Sequence, residues 1–333
     1  MGDEIIAVDG TTIRANNNSY KNFNLKKVSN KIKEIEEKIQ QYFDAMDTED
    51  HKEDIEKLNQ SRAKYESLMK QLEEKQNSSL SLTDCDASLV CDKKGGLMPG
   101  YNVQSAVDSQ NDIVVEIDTN QNVVDCGQLS VMVEKIQKNS IKKDFIAIAD
   151  CGYWKGEDLA KTEHLGVIPL IGVPKNPQRH DQPEPYKTNK FRYDRKNDKY
   201  ICPEGKYLFC HQIRGKGFKR YFNREACFNC LCKSECCKLN KLGFKTINRS
   251  NYADAIDRNT ERIKNNKKLY HRRWELAEHP FGTIKRTLNG GYYLLRGLQK
   301  VSTETALMFL GYNIRRVFNV IGFTKIMAKL EAI

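Results

Sequence analysis

Short apolar runs and helical spacings alternate along the chain, a pattern typical of an α/β fold. Five runs have the length and composition of buried strands: EIIAVD (Glu4–Asp9), GYNVQSAVD, DIVVEID, DFIAIAD (Asp144–Asp150) and GVIPLIG. The three residues SQN between the second and third runs predict a β-hairpin. Helical spacing in CGQLSVMVEKIQKN and in KGEDLAKTEHL places helices before and after the fourth strand.

Two segments depart from this alternation and are predicted to be insertions. In residues 25–79, apolar residues recur every three or four positions among Lys and Glu, on both sides of the polar break DAMDTEDHKED, which predicts a helical hairpin with coiled-coil packing. Residues 174–250 are polar, contain turns such as RKND and hold most of the cysteines, which predicts a cysteine-rich β insertion. The core is then left in residues 1–24 and 80–173, and a helical part at 251–333 completes it.

The C-terminal helical part contains an apolar stripe at helical spacing. Its members are Leu307, Leu310, Ile314, Val317 and Ile321. Ser302 or Thr303 precedes the stripe and is predicted as the N-cap of this helix.

Positive charge is concentrated in the last third of the chain. The formal net charge is +11, and the segment from Lys241 to Ile333 alone holds 18 Lys and Arg against 7 Asp and Glu, so the first 240 residues are neutral in sum. Such asymmetry favours a polyanion such as nucleic acid as partner, with a solvated basic face as the alternative.

The N-terminal sequence MGDEIIAVDG lacks the basic and apolar regions of a signal peptide, and no uncharged run is long enough to span a bilayer. We therefore expect a cytoplasmic protein with reduced thiols and no membrane partner. The 11 cysteines are then considered first as metal ligands rather than as a disulfide framework.

Two aspartates are predicted to end apolar strands. If the first and fourth strands are neighbours, Asp9 and Asp150 lie side by side at one edge of the sheet. Two adjacent carboxylates are costly without a cation, and Mg²⁺ prefers one or two protein carboxylates together with water and phosphate oxygens. Glu278 is the candidate third carboxylate, and it lies in the basic stretch YHRRWELAEHPFGTIKR, which also holds Glu275. An aspartate after a strand is also an ordinary turn residue, which is the alternative interpretation.

Several motifs together resemble the insertion-sequence transposases of the DDE type. They are AVDGTTIRAN, MPGYNVQSAVD, AIADCGYW and YHRRWELAEHPFGTIKR, followed by LLRGLQKV and YNIRRV. The resemblance implies an RNase H-like mixed sheet flanked by helices, with the helical and cysteine-rich insertions. It also implies Mg²⁺- or Mn²⁺-dependent cleavage at transposon ends and strand transfer by a two-metal mechanism. In this interpretation Asp9, Asp150 and Glu278 are the catalytic, metal-binding residues.

The family's signature around the glutamate supplies further candidates. It runs Tyr, two residues, Arg, three residues, Glu, six residues, Lys, and it maps here onto Tyr270, Arg273, Glu278 and Lys285, except that four residues separate Arg273 from Glu278. Arg272 is therefore an alternative to Arg273. The resemblance implies DNA contacts by the following set: Tyr270, Arg272, Arg273, Lys285, Arg286 and Arg296. Pro280 predicts that a helix starts there, with Glu278 just ahead of it.

A cysteine pattern in the second insertion predicts a structural metal site. Cys202, Cys227, Cys230 and Cys236 have a CxxC pair with flanking cysteines, a spacing that favours tetrahedral thiolate ligation of zinc. An iron–sulfur cluster would use the same ligands, and reduced thiols without metal are the third interpretation. Three other cysteines, Cys210, Cys232 and Cys237, could each replace one member of the set.

The resemblance also implies partners and leaves alternatives open. A DDE transposase acts on double-stranded DNA as a homodimer or higher oligomer and is associated with the bacterial nucleoid when active. The chain begins eight residues before Asp9, whereas the family usually carries a helical DNA-binding region upstream. A truncated, non-catalytic DNA-binding remnant is therefore one alternative, and a general RNase H-like nuclease is another.

Overall fold

The structure is a computed structural model that describes residues 5–17, 22–44, 52–74, 80–91, 95–139, 143–174, 184–214, 218–237 and 242–330. The strands are β1 (Ile5–Arg14), β2 (Asn22–Phe23), β3 (Leu80–Ser81), β4 (Ser88–Cys91), β5 (Leu97–Asp108), β6 (Val114–Asn120), β7 (Ile146–Ala149), β8 (Ile168–Ile171), β9 (Arg192–Asp194), β10 (Lys199–Ile201), β11 (Tyr207–Arg214), β12 (Phe218–Phe222) and β13 (Thr246–Ser250). The helices are α1 (Leu25–Asp44), α2 (Lys52–Glu74), α3 (Leu129–Asn139), α4 (Gly156–His164), α5 (Arg224–Phe228), α6 (Lys233–Cys236), α7 (Ala253–Asn265), α8 (Lys267–Arg286), α9 (Leu298–Ile321) and α10 (Phe323–Leu330).

A mixed sheet forms the centre of the fold. Its strand order is β4-β5-β1-β7-β8, and β6 also pairs with β5. The β1 strand is antiparallel to β5 and parallel to β7, while β7 is parallel to β8. The α/β class with an RNase H-like mixed sheet is thereby confirmed, and so is the predicted hairpin between β5 and β6.

Helices cover both faces of this sheet. On one face, Ile6 and Val8 of β1 pack with residues of α3 and α4, including Leu129 and Leu159. On the other face, Ile13 of β1 packs with side chains of α8 and α9. Because side chains alternate along a strand, Ala7, Asp9 and Thr11 share the α8 face with Ile13. The first candidate aspartate is therefore positioned under α8.

The two predicted insertions contain the expected types of element. Helices α1 and α2 pack through Val28, Ile32, Leu68 and Leu72, and this small core continues into the short ladder of β2 and β3. The second insertion is a five-stranded antiparallel sheet, in the order β13-β12-β11-β10-β9. The middle of the polar break between α1 and α2, residues 45–51, lies outside the described residues, as do residues 175–183. The predicted domain limits stay predictions.

The sequence predicted that the first strand ends at Asp9, but β1 continues to Arg14. Residues 10–14 pair in register with residues 100–104 of β5, so a neighbouring strand supplies hydrogen bonds that the local sequence could not reveal. Asp9 is thus a mid-strand residue, whereas Asp150 follows the last residue of β7 as predicted.

The prediction that a helix starts at Pro280 is also wrong, because α8 runs continuously from Lys267 to Arg286 with the proline inside it. A proline in a helix interior costs about 3 kcal/mol, since it removes one backbone donor and crowds the preceding turn. Buried Leu276, Ala277, Phe281 and Ile284 lie on both sides of Pro280. Their packing against the sheet offsets that cost.

Helix α9 begins four residues before the predicted cap, at Leu298. Its first amide is satisfied from a distant loop, because Leu298 N donates to Asp86 Oδ2 at 2.9 Å. The buried face of α9 consists of Val301, Thr305, Phe309 and Tyr312, whereas Leu307 of the predicted stripe is 63% exposed. Within the described residues, none of the helices combines the length and apolar character that crossing a bilayer would require.

Candidate active site

The parallel pairing of β1 with β7 aligns the two candidate aspartates. Ala7 is the register partner of Ile148, so Asp9 and Asp150 each lie two residues further along the chain from this pair. Both carboxylates therefore stand at the same level of the sheet, as expected for neighbouring first and fourth core strands. The predicted pair, Asp9 and Asp150, is thus brought together by the pairing of the adjacent strands β1 and β7.

The backbone that follows Asp150 fixes its side chain. The strand ends in a 3₁₀ turn at Cys151–Tyr153, and Asp150 is the N-cap of that turn. Its Oδ1 accepts a hydrogen bond from Gly152 N at 2.7 Å. One carboxylate oxygen is thereby held by the protein, and the other, Oδ2, has no hydrogen bond to a described residue.

The environment of Asp9 opposes its negative charge. The pKa of this carboxyl is raised to about 7: burial raises it most, the nearby guanidinium of Arg273 lowers it, and the carboxylates of Asp150 and Asp125 also raise it. A carboxyl with such a pKa is fully ionised at neutral pH only when a further positive charge is bound near it. The site therefore favours a cation between the acids.

Helix α8 crosses the sheet on the Asp9 face and carries the basic signature. Near its start, Tyr270 packs with Ile148 and Leu170, and its hydroxyl lies over Gly172, where any Cβ would overlap with it. One turn later the buried Arg273 lies beside both Asp9 and Tyr270. Burial raises the pKa of Tyr270, and the Arg273 guanidinium opposes that rise.

The structure distinguishes the two arginines that the motif spacing left open. Arg273 is buried, and its Nε has no hydrogen-bond partner among the described residues. Arg272 is exposed on another side of the helix and donates from Nη2 to the carbonyl oxygen of Ser109 at 3.3 Å. Only Arg273 therefore faces the acids.

Glu278 is exposed on α8, next to the part of the helix that contacts β1. The preceding residue, Ala277, packs with Ala7, which lies two positions before Asp9 on the same face of β1. Seven residues after Glu278, on the same side of the helix, Lys285 Nζ donates to Thr11 Oγ1 at 2.6 Å and to the Thr12 carbonyl oxygen at 2.9 Å. No three His, Cys, Asp or Glu side chains in the described ranges are arranged to hold one metal ion. Glu278 therefore does not form a three-carboxylate metal site with Asp9 and Asp150 in this structure.

The remaining two predicted DNA-binding residues lie at the end of α8 and in the loop before α9. Arg286 is exposed in the last turn of α8. Arg296 donates to the carbonyl oxygen and to Oδ1 of Asn16, at 3.1 and 3.3 Å, and so links the loop before α9 to the chain after β1. An open cleft of about 710 Å³ begins next to Asp9, and its lining includes Gly10, Thr11, Thr12, Asn102, Asp125 and Lys285.

Comparison with known protein families found a match to the C-terminal part of the chain. Residues 201–318 match a family model described as the transposase DDE domain. The resemblance to DDE-type transposases is confirmed. The matched segment includes Glu278 and the α8 signature, whereas Asp9 and Asp150 lie outside it.

Among solved structures, the chain is similar to the catalytic core domain of BIV integrase, with 15% identity and a TM-score of 0.19. The alignment covers 23% of this chain and half of the integrase chain, and a likeness this weak says nothing about fold or activity. No curated protein matches the chain.

A polar network behind the aspartates was not predicted from the sequence. The Oδ1 atom of Asp125, in the loop after β6, accepts hydrogen bonds from Asn102 Nδ2 at 2.8 Å and Gln104 Nε2 at 2.6 Å. The Tyr153 hydroxyl donates to Gln104 Oε1. Asn102 and Gln104 stand two apart within the apolar strand β5, which is the sequence signal that could have revealed a polar function on one face.

Cysteines of the second insertion converge on one small cavity of about 30 Å³. Its lining includes Cys202, Cys227, Cys230, Cys236 and Cys237, and the buried Lys245. All four predicted ligands are thus at one place, and of the three substitutes only Cys237 lines this cavity. Cys202 Sγ accepts a hydrogen bond from Lys206 N at 3.2 Å, and burial raises the pKa of the Cys227 and Cys236 thiols. The thiols are near one another but, within the part of the chain that the structure describes, no three have a ligand arrangement.

Proposed function

We propose that the chain is the catalytic part of a transposase, which cleaves DNA phosphodiesters at transposon ends and transfers the strand into target DNA. The observation that carries this proposal is the alignment of Asp9 with Asp150, together with the pKa of about 7 at Asp9. Two acids held together in this way, beside an arginine and below a helix of basic character, suit a site for divalent cations and phosphate.

The donor set fits Mg²⁺ or Mn²⁺. Both ions prefer carboxylate oxygens, and a cation at this site would stabilise the ionised form of Asp9, which burial and the neighbouring carboxylates oppose. Asp9 and Asp150 would hold the ions, and Glu278 would complete the ligand set from α8. When bound, such ions activate a water or a 3′-hydroxyl and stabilise the leaving oxygen.

Side chains around the acids have separate roles in this proposal. The backbone amide of Gly152 orients Asp150, and Arg273 stabilises the ionised form of Asp9. Lys285, fixed to Thr11 at the edge of the cleft, would meet a DNA phosphate and fix the register of the strand. The excess positive charge of the segment from Lys241 to Ile333 supports double-stranded DNA as the partner.

A structural zinc ion is the second cofactor that we propose. The four predicted ligand thiols line one small cavity and one of them accepts a backbone hydrogen bond, which supports tetrahedral thiolate ligation once the thiols draw together around the ion. Four thiolates leave no open coordination position, so this metal would stabilise the β9–β13 sheet and take no part in cleavage. Homodimer formation and association with the nucleoid stay predictions.

The test is cleavage of duplex oligonucleotides that carry the inverted repeats flanking the gene, in Mg²⁺, Mn²⁺ or EDTA. Asp9→Asn, Asp150→Asn and Glu278→Gln should each abolish cleavage while DNA binding in Ca²⁺ changes little. The matched controls are Asp144→Asn, at the other end of β7, and Glu261→Gln, exposed on α7; both should cleave as the unmodified chain does.

Three outcomes would contradict the proposal. Full cleavage by all three site variants would remove the acids from the chemistry. Equal cleavage of duplexes with and without the repeats would indicate a general nuclease. DNA binding without any metal-dependent cleavage would indicate a non-catalytic DNA-binding protein.

A further inference from the structure

The network around Asp125 connects three segments that meet at the candidate site. Asn102 and Gln104 belong to β5, Asp125 to the loop after β6, and Tyr153 to the turn that follows Asp150. The other three side chains of this hydrogen-bond network are almost fully buried, with exposed fractions of 2% for Asn102, 0% for Gln104 and 1% for Tyr153. A buried polar network is kept only when its members satisfy one another, so its geometry is defined.

We propose that Asp125 is a positioning residue for the acidic site, which acts through Gln104 and Tyr153 on the turn that carries Asp150. This inference rests on the proposed function, since it concerns how the two aspartates are held. Burial and the carboxylates of Asp125, Asp9 and Asp150 raise the pKa of Tyr153, so its hydroxyl keeps its proton and donates to Gln104 Oε1. Gln104 then donates in turn to Asp125.

The same carboxylate also contacts the strand of Asp9. A Cβ at Gly10 would overlap with Asp125 Oδ1 and with Gln104 Nε2, so only glycine leaves room for the network at this position. Gly10 and Gln104 are register partners and share the face of the sheet opposite to Asp9. Asp125 therefore supports both aspartates from behind, through Gly10 on one strand and the Tyr153 turn on the other.

Two substitutions at Asp125 separate positioning from charge. Both amide donors reach the same atom, Oδ1, and an asparagine retains an oxygen there, whereas Asp125→Ala leaves Asn102 and Gln104 without this acceptor. Asp125→Asn should keep cleavage within about threefold, and Asp125→Ala should lose about 10- to 100-fold, the usual cost of removing a residue that orients metal ligands. Tyr153→Phe should fall between the two variants, because it removes only the last hydrogen bond.

The decisive measurement is Mn²⁺ binding to the full chain, with the free Mn²⁺ quantified by electron paramagnetic resonance. We expect the half-saturating Mn²⁺ concentration to rise about tenfold in Asp125→Ala and to stay unchanged in Asp125→Asn. Asp144→Ala is the control, since this residue is exposed at the far end of β7. Circular dichroism melting shows whether each variant is folded at the temperature of the assay.

Each outcome decides the inference. Unchanged Mn²⁺ binding in Asp125→Ala overturns it, and an equal loss in Asp125→Asn and Asp125→Ala overturns it in favour of a direct role of the Asp125 charge. If the unmodified chain binds Mn²⁺ without cleaving DNA, the proposed function fails while the Mn²⁺ comparison still tests Asp125. If the unmodified chain binds no Mn²⁺, both proposals fail.

Discussion

At the residue scale, the candidate site depends on a few charges whose energies burial controls. Asp9 is ionised at a cost, because burial is the largest influence on its pKa. Arg273 reduces that cost from the face of α8, and Asp150 and Asp125 increase it. Charges arranged in this way favour a cation at the site and make the metal-free protein sensitive to pH.

Asp9→Asn should stabilise the metal-free chain at neutral pH. The folded state holds the Asp9 proton up to a pH of about 7, whereas an unfolded aspartate loses it near pH 4, so ionisation destabilises the folded state as pH rises across this window. The advantage of the variant in the free energy of unfolding should grow by up to about 1.4 kcal/mol for each pH unit between about 4 and 7. Urea unfolding in EDTA at pH 5, 6, 7 and 8 measures it. A difference that stays constant across these pH values, or that also appears in Asp144→Asn, would contradict the assignment.

Arg273→Ala should reduce metal-dependent cleavage by about tenfold or more. The substitution removes the cation that lowers the pKa of Asp9 and so strengthens the effect of burial and of the neighbouring carboxylates. Arg272→Ala is the matched control, since this neighbour is exposed and donates a hydrogen bond to the backbone of Ser109 rather than facing the acids. Single-turnover cleavage with both variants decides the point. An equal loss in the two variants would show that total basic charge, rather than position, matters.

At the element scale, α8 brings the site together because it crosses neighbouring strands on one face of the sheet. Its buried residues contact β7 and β8 near Tyr270, β1 at Ala277 and the β5 side at Ile284. The helix continues through Pro280, so the residues before and after the proline face the sheet together. The orientation of Glu278 and Lys285 thus depends on the path of the whole helix.

Pro280→Ala should stabilise the chain and slow cleavage at the same time. Alanine restores the backbone donor and removes the crowding of the preceding turn, which should raise the free energy of unfolding by about 1 kcal/mol after the loss of some buried volume. A restored backbone hydrogen bond at this position would shift Glu278 relative to Lys285 and so lower the rate. Urea unfolding and single-turnover cleavage are measured on the same preparation, with Thr283→Ala as a control in the same helix. Stabilisation without any loss of rate would show that the proline does not position Glu278.

At the scale of the whole molecule, the α1–α2 hairpin and the cysteine-rich sheet are inserted in the chain that forms the central domain, and each has a small core of its own. The core of the cysteine-rich sheet contains Phe191, Tyr200 and Tyr221, with Cys202 and Cys236 packed against it. This sheet joins β8 to α7 and α8, so its stability affects the helices that carry the signature. A metal at the cysteine cavity would contribute folding free energy at that junction.

The purified chain should contain about one zinc ion per molecule, released by a strong chelator with partial loss of β-structure. Cys202→Ser and Cys227→Ser should each lose the metal, because both thiols line the same cavity. Cys91→Ser is the control, since this thiol is exposed and lies in the central sheet. Metal content by plasma mass spectrometry and chelator titration followed by circular dichroism measure both effects. If the chain is purified without metal and the chelator does not change its stability, the thiols are ordinary packing residues.

The sequence by itself determined the features that depend on neighbours along the chain. The length and composition of the apolar runs predicted the central strands, and the end of the run before Asp150 predicted the position of that residue, because both patterns reflect local burial. The α/β class and the resemblance to DDE-type transposases followed from such local patterns and motifs.

Only the tertiary structure decided the features that depend on residues far apart in the chain. Pairing with β5 extended β1 past Asp9, and packing against the sheet carried α8 through Pro280. A loop carboxylate from Asp86 set the start of α9, and the phase of α8 turned Arg273 rather than Arg272 toward the acids. In each case the local sequence allowed more than one conformation, and the burial of apolar surface against a distant element selected one of them.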